Sequence, residues 1–194
     1  INDKVIVFTE YRATQDFLQM FLEEHGITSV PFRGGFSRSK KEWMTQLFET
    51  RAQVLISTEA GGEGINLQFC NHVINYDLPW NPMRVEQRIG RVHRLGQTKD
   101  VYIYNLSTKG TIEEYILQLL YEKINLFEMV IGELEQIIQS LRLHSSLEEN
   151  LADIFFHSSS AKEIEIKLHN LGEYIKTVKN QVSMQPLPEK ERVL

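Results

Sequence analysis

Five short runs of β-branched and apolar residues, spaced through the first hundred or so positions, constrain this chain more than any other feature. They are Val5-Ile-Val-Phe8, Ser29-Val-Pro-Phe32, Val54-Leu-Ile-Ser57, His72-Val-Ile-Asn-Tyr76 and Val101-Tyr-Ile-Tyr104. Helical periods separate the early ones. A helix is expected over 13–25, with Phe17, Leu18, Phe21 and Leu22 on its inner side and Gly26 as its stop. A second carries Trp43, Leu47 and Phe48. Strand runs bounded by turn residues and alternating with helices imply βαβ units. The expected fold is therefore α/β, a doubly wound parallel sheet.

The pattern changes at Thr111, a good N-cap followed by Glu113 and Glu114 in the first turn. Apolar residues then recur at helical spacing: Ile116, Leu119, Leu120, Ile124, Phe127, Val130, Ile131 and Leu134. Further helical sets run over 147–156 and 161–178, and the last residues contain Pro186 and Pro188. This divides the chain into an α/β domain over 1–110, a helical brace over 111–180 and a fraying tail over 181–194. The strand that begins almost at Ile1 reads as a fragment of a longer protein.

Charge limits the function classes. The net charge is −5, so bulk attraction does not hold this chain on a polyanion. Its distribution is uneven: residues 1–110 carry 13 Lys/Arg and 12 Asp/Glu, residues 111–194 carry 8 and 14. A local basic groove is possible only in the first part. The single cysteine, Cys70, excludes an internal disulfide and reads as a small buried thiol in a reducing compartment. The six histidines lack metal-ligand spacing, and no metal site is expected. No apolar run approaches the ~20 residues of a membrane span, so no membrane partner is expected.

The chemistry concentrates in two segments. Residues 86–97, Glu-Gln-Arg-Ile-Gly-Arg-Val-His-Arg-Leu-Gly-Gln, follow Asn81-Pro82, a cap and first position for a helix. On that helix Val85, Ile89 and Val92 form an apolar stripe, while Arg88, Arg91 and Arg94 step by three within about a third of the circumference. Only Glu86 is near in sequence to offset them. Such a cluster suits a solvated face or a set of phosphate oxygens, for which arginine's planar fork is well shaped. Upstream, Gly61, Gly62 and Gly64 lie just beyond the strand 54–57, flanked by Thr58 and Asn66. Glycines at a strand's carboxyl end allow a ligand close to the backbone, and that edge is where open α/β sheets bind.

In order and spacing, residues 1–120 resemble the second RecA-like lobe of the Swi/Snf branch of helicase superfamily two. Residues 57–67 look like motif V and 87–97 like motif VI, including the trailing Leu95-Gly-Gln97. Residues 5–11 resemble motif IV, and Asn75-Tyr-Asp-Leu-Pro-Trp-Asn-Pro82 is similar to that branch's block before motif VI. Arg88 beside Gln87, the Leu-Pro-Trp-Asn-Pro wording and Leu126-Phe-Glu128 look closest to the bacterial RapA-like branch.

The resemblance implies a RecA-like, P-loop NTPase-type sheet with a helical extension, serving an ATP-dependent translocase on double-stranded DNA. Arg91 and Arg94 would be arginine fingers reaching γ-phosphate held by another lobe, where they stabilise a loose phosphoryl transition state. Gly64 and Asn66 would lie near the ribose, and Gln87 would couple nucleotide to the tracking strand. Arg88 stands with the nucleotide-binding set, although helix packing or coupling between motifs would serve it equally. Thr58 and the Gly34 backbone would meet nucleic-acid phosphates. Arg33-Gly-Gly-Phe36 departs from the usual Asp-Gly-Ser-Thr, and Lys41 stands where Arg is usual.

No Gly-x-x-x-x-Gly-Lys-[Ser/Thr] loop and no Asp-Glu-x-His motif occurs in the sequence. ATP and magnesium are therefore expected to be held mainly by an N-terminal RecA-like lobe of the same parent chain, leaving this piece inactive alone. A cytoplasmic location, nucleoid-associated in a bacterium, goes with this, and RNA polymerase is a partner implied by the RapA-like resemblance alone. Two other readings compete. One is a non-catalytic lobe whose acidic helices recruit a protein; the other is a flavodoxin-like domain binding a small phosphate ligand.

Overall fold

The structure, a computed structural model, describes residues 3–59, 66–93, 97–124, 133–143 and 145–183. By its internal contacts the chain divides into two compact units, one up to Leu117 and one from Gln118.

In the first unit the five β-branched runs become five parallel strands: β1 (Val5–Phe8), β2 (Ser29–Phe32), β3 (Val54–Ser57), β4 (His72–Asn75) and β5 (Tyr102–Asn105). Their order is β2-β3-β1-β4-β5. The last two sit within a residue of the sequence expectation. Helices α1 (Arg12–Glu24), α2 (Arg38–Thr50), α3 (Pro82–Ile89) and α4 (Ile112–Gln118) lie along the chain between and after them.

Strand alternation sends side chains to two faces. Ile6, Phe8, Val30, Phe32, Leu55 and Val73 face Met44 and Phe48 of α2, with Leu67, Cys70 and Val92 completing that core. Val7, Val54 and Ile56 point the other way, against Leu18 and Leu22 of α1. One helix on each face is the doubly wound arrangement read from the sequence. The Cys70 thiol is fully buried, donates to the Lys4 carbonyl at 2.9 Å, and burial pushes its pKa up to about 11.

The inner face of α1 differs from expectation. Phe17 and Phe21 stack on each other on the exposed side, and Gln15 takes the inner position with Leu18 and Leu22. Positions 15, 18 and 22 share a stripe from which 17 and 21 are turned well away. Gln15 belongs inside because its amide donates to two strand-end carbonyls, Phe32 at 2.9 Å and Ile56 at 2.7 Å. Trp43 of α2 is likewise exposed, and Met44 with Phe48 fills the core instead.

After α4 the chain runs through a π-helical turn (Leu119–Ile124) into α5 (Glu133–Ser140), α6 (Leu147–His157) and α7 (Ala161–Ser183). Phe127, Val130 and Ile131, with Pro186 and Pro188, lie outside the described residues. The Thr111 hydroxyl donates back to the Thr108 carbonyl, while Glu113 and Glu114 accept from the Thr108 and Gly110 amides. The carboxylates, rather than the threonine, thus serve the start of α4. Within the second unit α7 packs against the π-helical turn, α5 and α6, and Leu120, Ile137, Leu151 and Ile175 are buried. Ser146 and Glu149 form a reciprocal capping box at the start of α6. No helix among the described residues is long and apolar enough to cross a membrane.

Candidate functional site

The order β3-β1-β4 places the loops following these three strands side by side at the carboxyl edge of the sheet. The connection from β3 to β4 passes over β1, so this is the switch point where open α/β sheets form a crevice. Thr9 to Tyr11, Thr58 with Glu59, and Tyr76 to Trp80 supply its backbone.

Helix α3 enters this edge as the sequence foretells. The Asn81 side chain accepts from the Met83 amide at 2.9 Å, and Pro82 fills the first helical position. Val85, Ile89 and Val92 are all buried. The helix stops sooner than expected, at Ile89 with Gly90 as its C-cap, and residues 90–92 continue as turns. The Arg91, Val92 and His93 amides still bond back to the Arg88 and Ile89 carbonyls, so Arg91 continues directly from α3 in a tighter turn.

Arg88 is 2 % exposed and turned into the protein, over the Phe8 ring at 5.5 Å from the ring centroid. Its Nε donates to Glu59 Oε1 at 2.6 Å. Its Nη1 donates to the Asp77 carbonyl at 2.7 Å and to Asn75 Oδ1 at 3.2 Å, and Nη2 lies 3.6 Å from Asp77 Oδ1. For Arg88 the compensating charge comes from Glu59 and Asp77, 29 and 11 residues away in sequence. Nε and Nη1 are thus hydrogen-bonded, while the buried Nη2 makes no hydrogen bond and has only the Asp77 charge beside it.

Asp77 extends the network to β1. It accepts from the Thr9 hydroxyl at 2.5 Å and from the Glu10 amide at 2.9 Å. Asn75 passes a further bond to Asn105 of β5 at 2.7 Å. One side chain of α3 is therefore joined to groups at or beyond the ends of β3, β1, β4 and β5. Glu10 sits at the rim, accepting from Arg84 at 3.3 Å. Burial pushes its carboxyl above the usual range, and neighbouring Asp77 and Glu59 add to this against the opposing Arg88 and Arg84.

The remaining sequence candidates are distributed around this edge. Thr58 is buried, its amide bonded to the Phe32 carbonyl at 3.1 Å. Gly34 lies in the turn after β2, where Gly35 takes φ +82. Arg33 beside it is held by Gln15 Oε1 at 2.8 Å and by an ion pair with Asp16. Asn66 is exposed and uses its amide locally, exchanging bonds with Gln68. Gln87 is exposed on α3. The Arg91 carbonyl accepts from the Leu67 amide at 3.2 Å, which ties the turn after α3 to the segment following the glycines. Gly61, Gly62, Gly64 and Arg94 lie outside the described residues.

A family model for the helicase conserved C-terminal domain matches residues 1–96. The chain carries that domain. It is 65% identical over 175 residues to an uncharacterized ATP-dependent helicase of Bacillus subtilis, YqhH, covering 90% of this chain and 31% of the relative. It therefore spans about a third of that protein's length. Human INO80, a chromatin-remodeling ATPase, is 40% identical over 132 residues, 66% of this chain and 8% of its own. An ATP-dependent DNA helicase of Arabidopsis thaliana, DDM1, is 35% identical over 136 residues, 68% and 18% respectively. Among solved structures, the C-terminal part of the Fun30 ATPase domain matches with a TM-score of 0.57 and 29% identity, over 81% of this chain and 49% of that one. The first unit's parallel sheet is thus the fold of helicase C-terminal RecA-like lobes, as the sequence implied.

Proposed function

We propose that this lobe completes, from outside, an ATP site whose phosphate loop lies on another lobe of the same parent chain. Arg91 and Arg94 serve as the fingers, placed to neutralise charge spreading over the transferred phosphoryl group. The observation that carries this reading is the placement of Arg91. It follows directly on helix α3 beyond its C-cap, and its carbonyl accepts from the amide of Leu67, which comes after the glycine-rich segment in the sequence. Gly64, Asn66 and Gln87 border the nucleotide on the same reading. Gly34 and Thr58 stand at the loops that meet nucleic-acid phosphates, a contact that sets register without reading sequence.

Arg88 takes a different part. Its guanidinium is occupied by Glu59, Asn75 and Asp77, and it braces the edge on which the other residues stand. Among the described residues no three His, Cys, Asp or Glu side chains gather where a metal could sit. These described residues do not fit a magnesium site of their own.

The parent protein on this reading is a nucleic-acid-stimulated ATPase that translocates along double-stranded DNA as its lobes close and open, and the chain alone does not turn over ATP. A cytoplasmic setting, nucleoid-associated in a bacterium, goes with it. The RapA-like assignment rests on the wording around Gln87, Arg88 and Leu78 to Pro82, and RNA polymerase as a partner rests on that assignment. In the full-length protein, Arg91→Ala or Arg94→Ala should lower DNA-stimulated turnover by about 10³–10⁵. Near-wild-type turnover in both variants would overturn the finger assignment.

A further inference from the structure

One glutamine just beyond the arginines joins the two segments on which the proposed site depends. The two N–H groups on Gln97 Nε2 are shared among three carbonyls: Gln68 at 2.9 Å, Cys70 at 3.2 Å and Val92 at 3.3 Å. Its Oε1 accepts from the Lys99 amide at 3.0 Å. Gln68 and Cys70 belong to the segment that continues from the glycine-rich turn, and Val92 follows Arg91 directly. A second tie, Leu67 amide to Arg91 carbonyl, runs in parallel. Leu67, Cys70 and Val92 are buried, so carbonyls left open at this seam would lack ready replacement by water.

The chemistry of this position selects its residue type. The seam presents converging carbonyls and one outgoing amide, so it needs two N–H donors and an acceptor on one planar group. A carboxylate would set negative charge against the carbonyls. A lysine would lack the acceptor for Lys99. We infer that Gln97 is a positioning residue: it fixes the Arg91 turn against residues 66–70.

This rests on the reading of Arg91 as a finger. A misplacement of about 1 Å at such a group can cost on the order of 100-fold in rate.

The test uses the full-length protein carrying Gln97→Met, which keeps the side-chain volume and removes the donors, alongside Gln97→Ala and Arg91→Ala. Expected are a fall of about 10–100-fold in DNA-stimulated kcat for both Gln97 variants and a KM for ATP within about twofold of wild type. Hydrogen exchange at the Leu67 and Lys99 amides should accelerate by about tenfold or more, with the β1 and β3 amides unchanged. If Gln97→Met keeps wild-type kcat or wild-type exchange while Arg91→Ala is inactive, the positioning role is wrong. If exchange accelerates and Arg91→Ala retains turnover, the seam stands and the finger reading fails. Recovery of kcat in Gln97→Met but not in Gln97→Ala would reduce the residue to packing and overturn the inference.

Discussion

Polar side chains are wired differently in the two units of this chain. In the sheet unit they join residues far apart in sequence and are largely withdrawn from water: Arg88 with Glu59, Thr9 with Asp77, Gln15 with Ile56, Gln97 with Gln68. Among the described residues of the helical unit, Lys167 with Glu163 and His157 with Asp153 are paired four residues apart on helix surface, as Arg38 with Glu42 is in the sheet unit, and one longer bond joins the Arg142 amide to the Tyr174 hydroxyl. Pairs of the second kind come with helix formation and contribute little. Pairs of the first kind carry a desolvation cost that only full satisfaction offsets. A chain keeps them where several strand ends must hold one mutual arrangement. At the carboxyl edge, that arrangement is the candidate site.

The sharpest way to break this contrast is to remove its centre. Arg88→Ala leaves Glu59 and Asp77 without their partner and should destabilise the sheet unit by about 3–5 kcal/mol. Both tryptophans, Trp43 and Trp80, lie in that unit, so urea unfolding followed by their fluorescence reads it selectively. A loss below about 1 kcal/mol would place Arg88 among the surface pairs. In the helical unit the largest local effect belongs to the capping box. Ser146→Ala should cost about 1 kcal/mol, seen in far-ultraviolet circular dichroism rather than tryptophan fluorescence. An equal shift in both signals would mean that the units unfold together.

The smallest effect concerns pH. Burial favours the protonated form of Glu10, so the folded chain holds its proton at pH values where the unfolded chain has released it. Stability from this group is then present below the usual carboxylate value of 4.5 and falls as pH rises toward the raised one. Glu10→Gln should flatten that slope and unfold at higher urea than wild type near neutral pH. Unfolding midpoints across about pH 4–8 test this, and a steeper slope in the variant would show that Arg84 and Arg88 outweigh burial.

What the sequence disclosed follows from how local each signal is. The strands were legible because β-branched runs between turn residues have few alternatives, and the start of α3 because Asn81-Pro82 is a complete local cap. The inner face of α1 was not. Phe17, Leu18, Phe21 and Leu22 cover more than one stripe, and the choice between them was made by Gln15 meeting carbonyls of two strands. The arginine segment was visible as a charge cluster, yet nothing along it marked Arg88 as buried, because the groups that take it inward, Glu59 and Asp77, sit in other loops of the sheet. Gln97 was visible only as the end of the segment resembling motif VI, since nothing along the chain marks which carbonyls will converge on it.

The buried thiol in the first core has a use that its chemistry dictates. Cys70 is the chain's only cysteine, and with its pKa near 11 it is almost wholly protonated at neutral pH, so a thiol reagent meets neither surface nor thiolate while the sheet stays closed. The rate at which such a reagent consumes it is therefore a direct clock for opening of this core. A cysteine introduced anywhere on the surface could carry a dye in the native protein with no competing native attachment point in this chain.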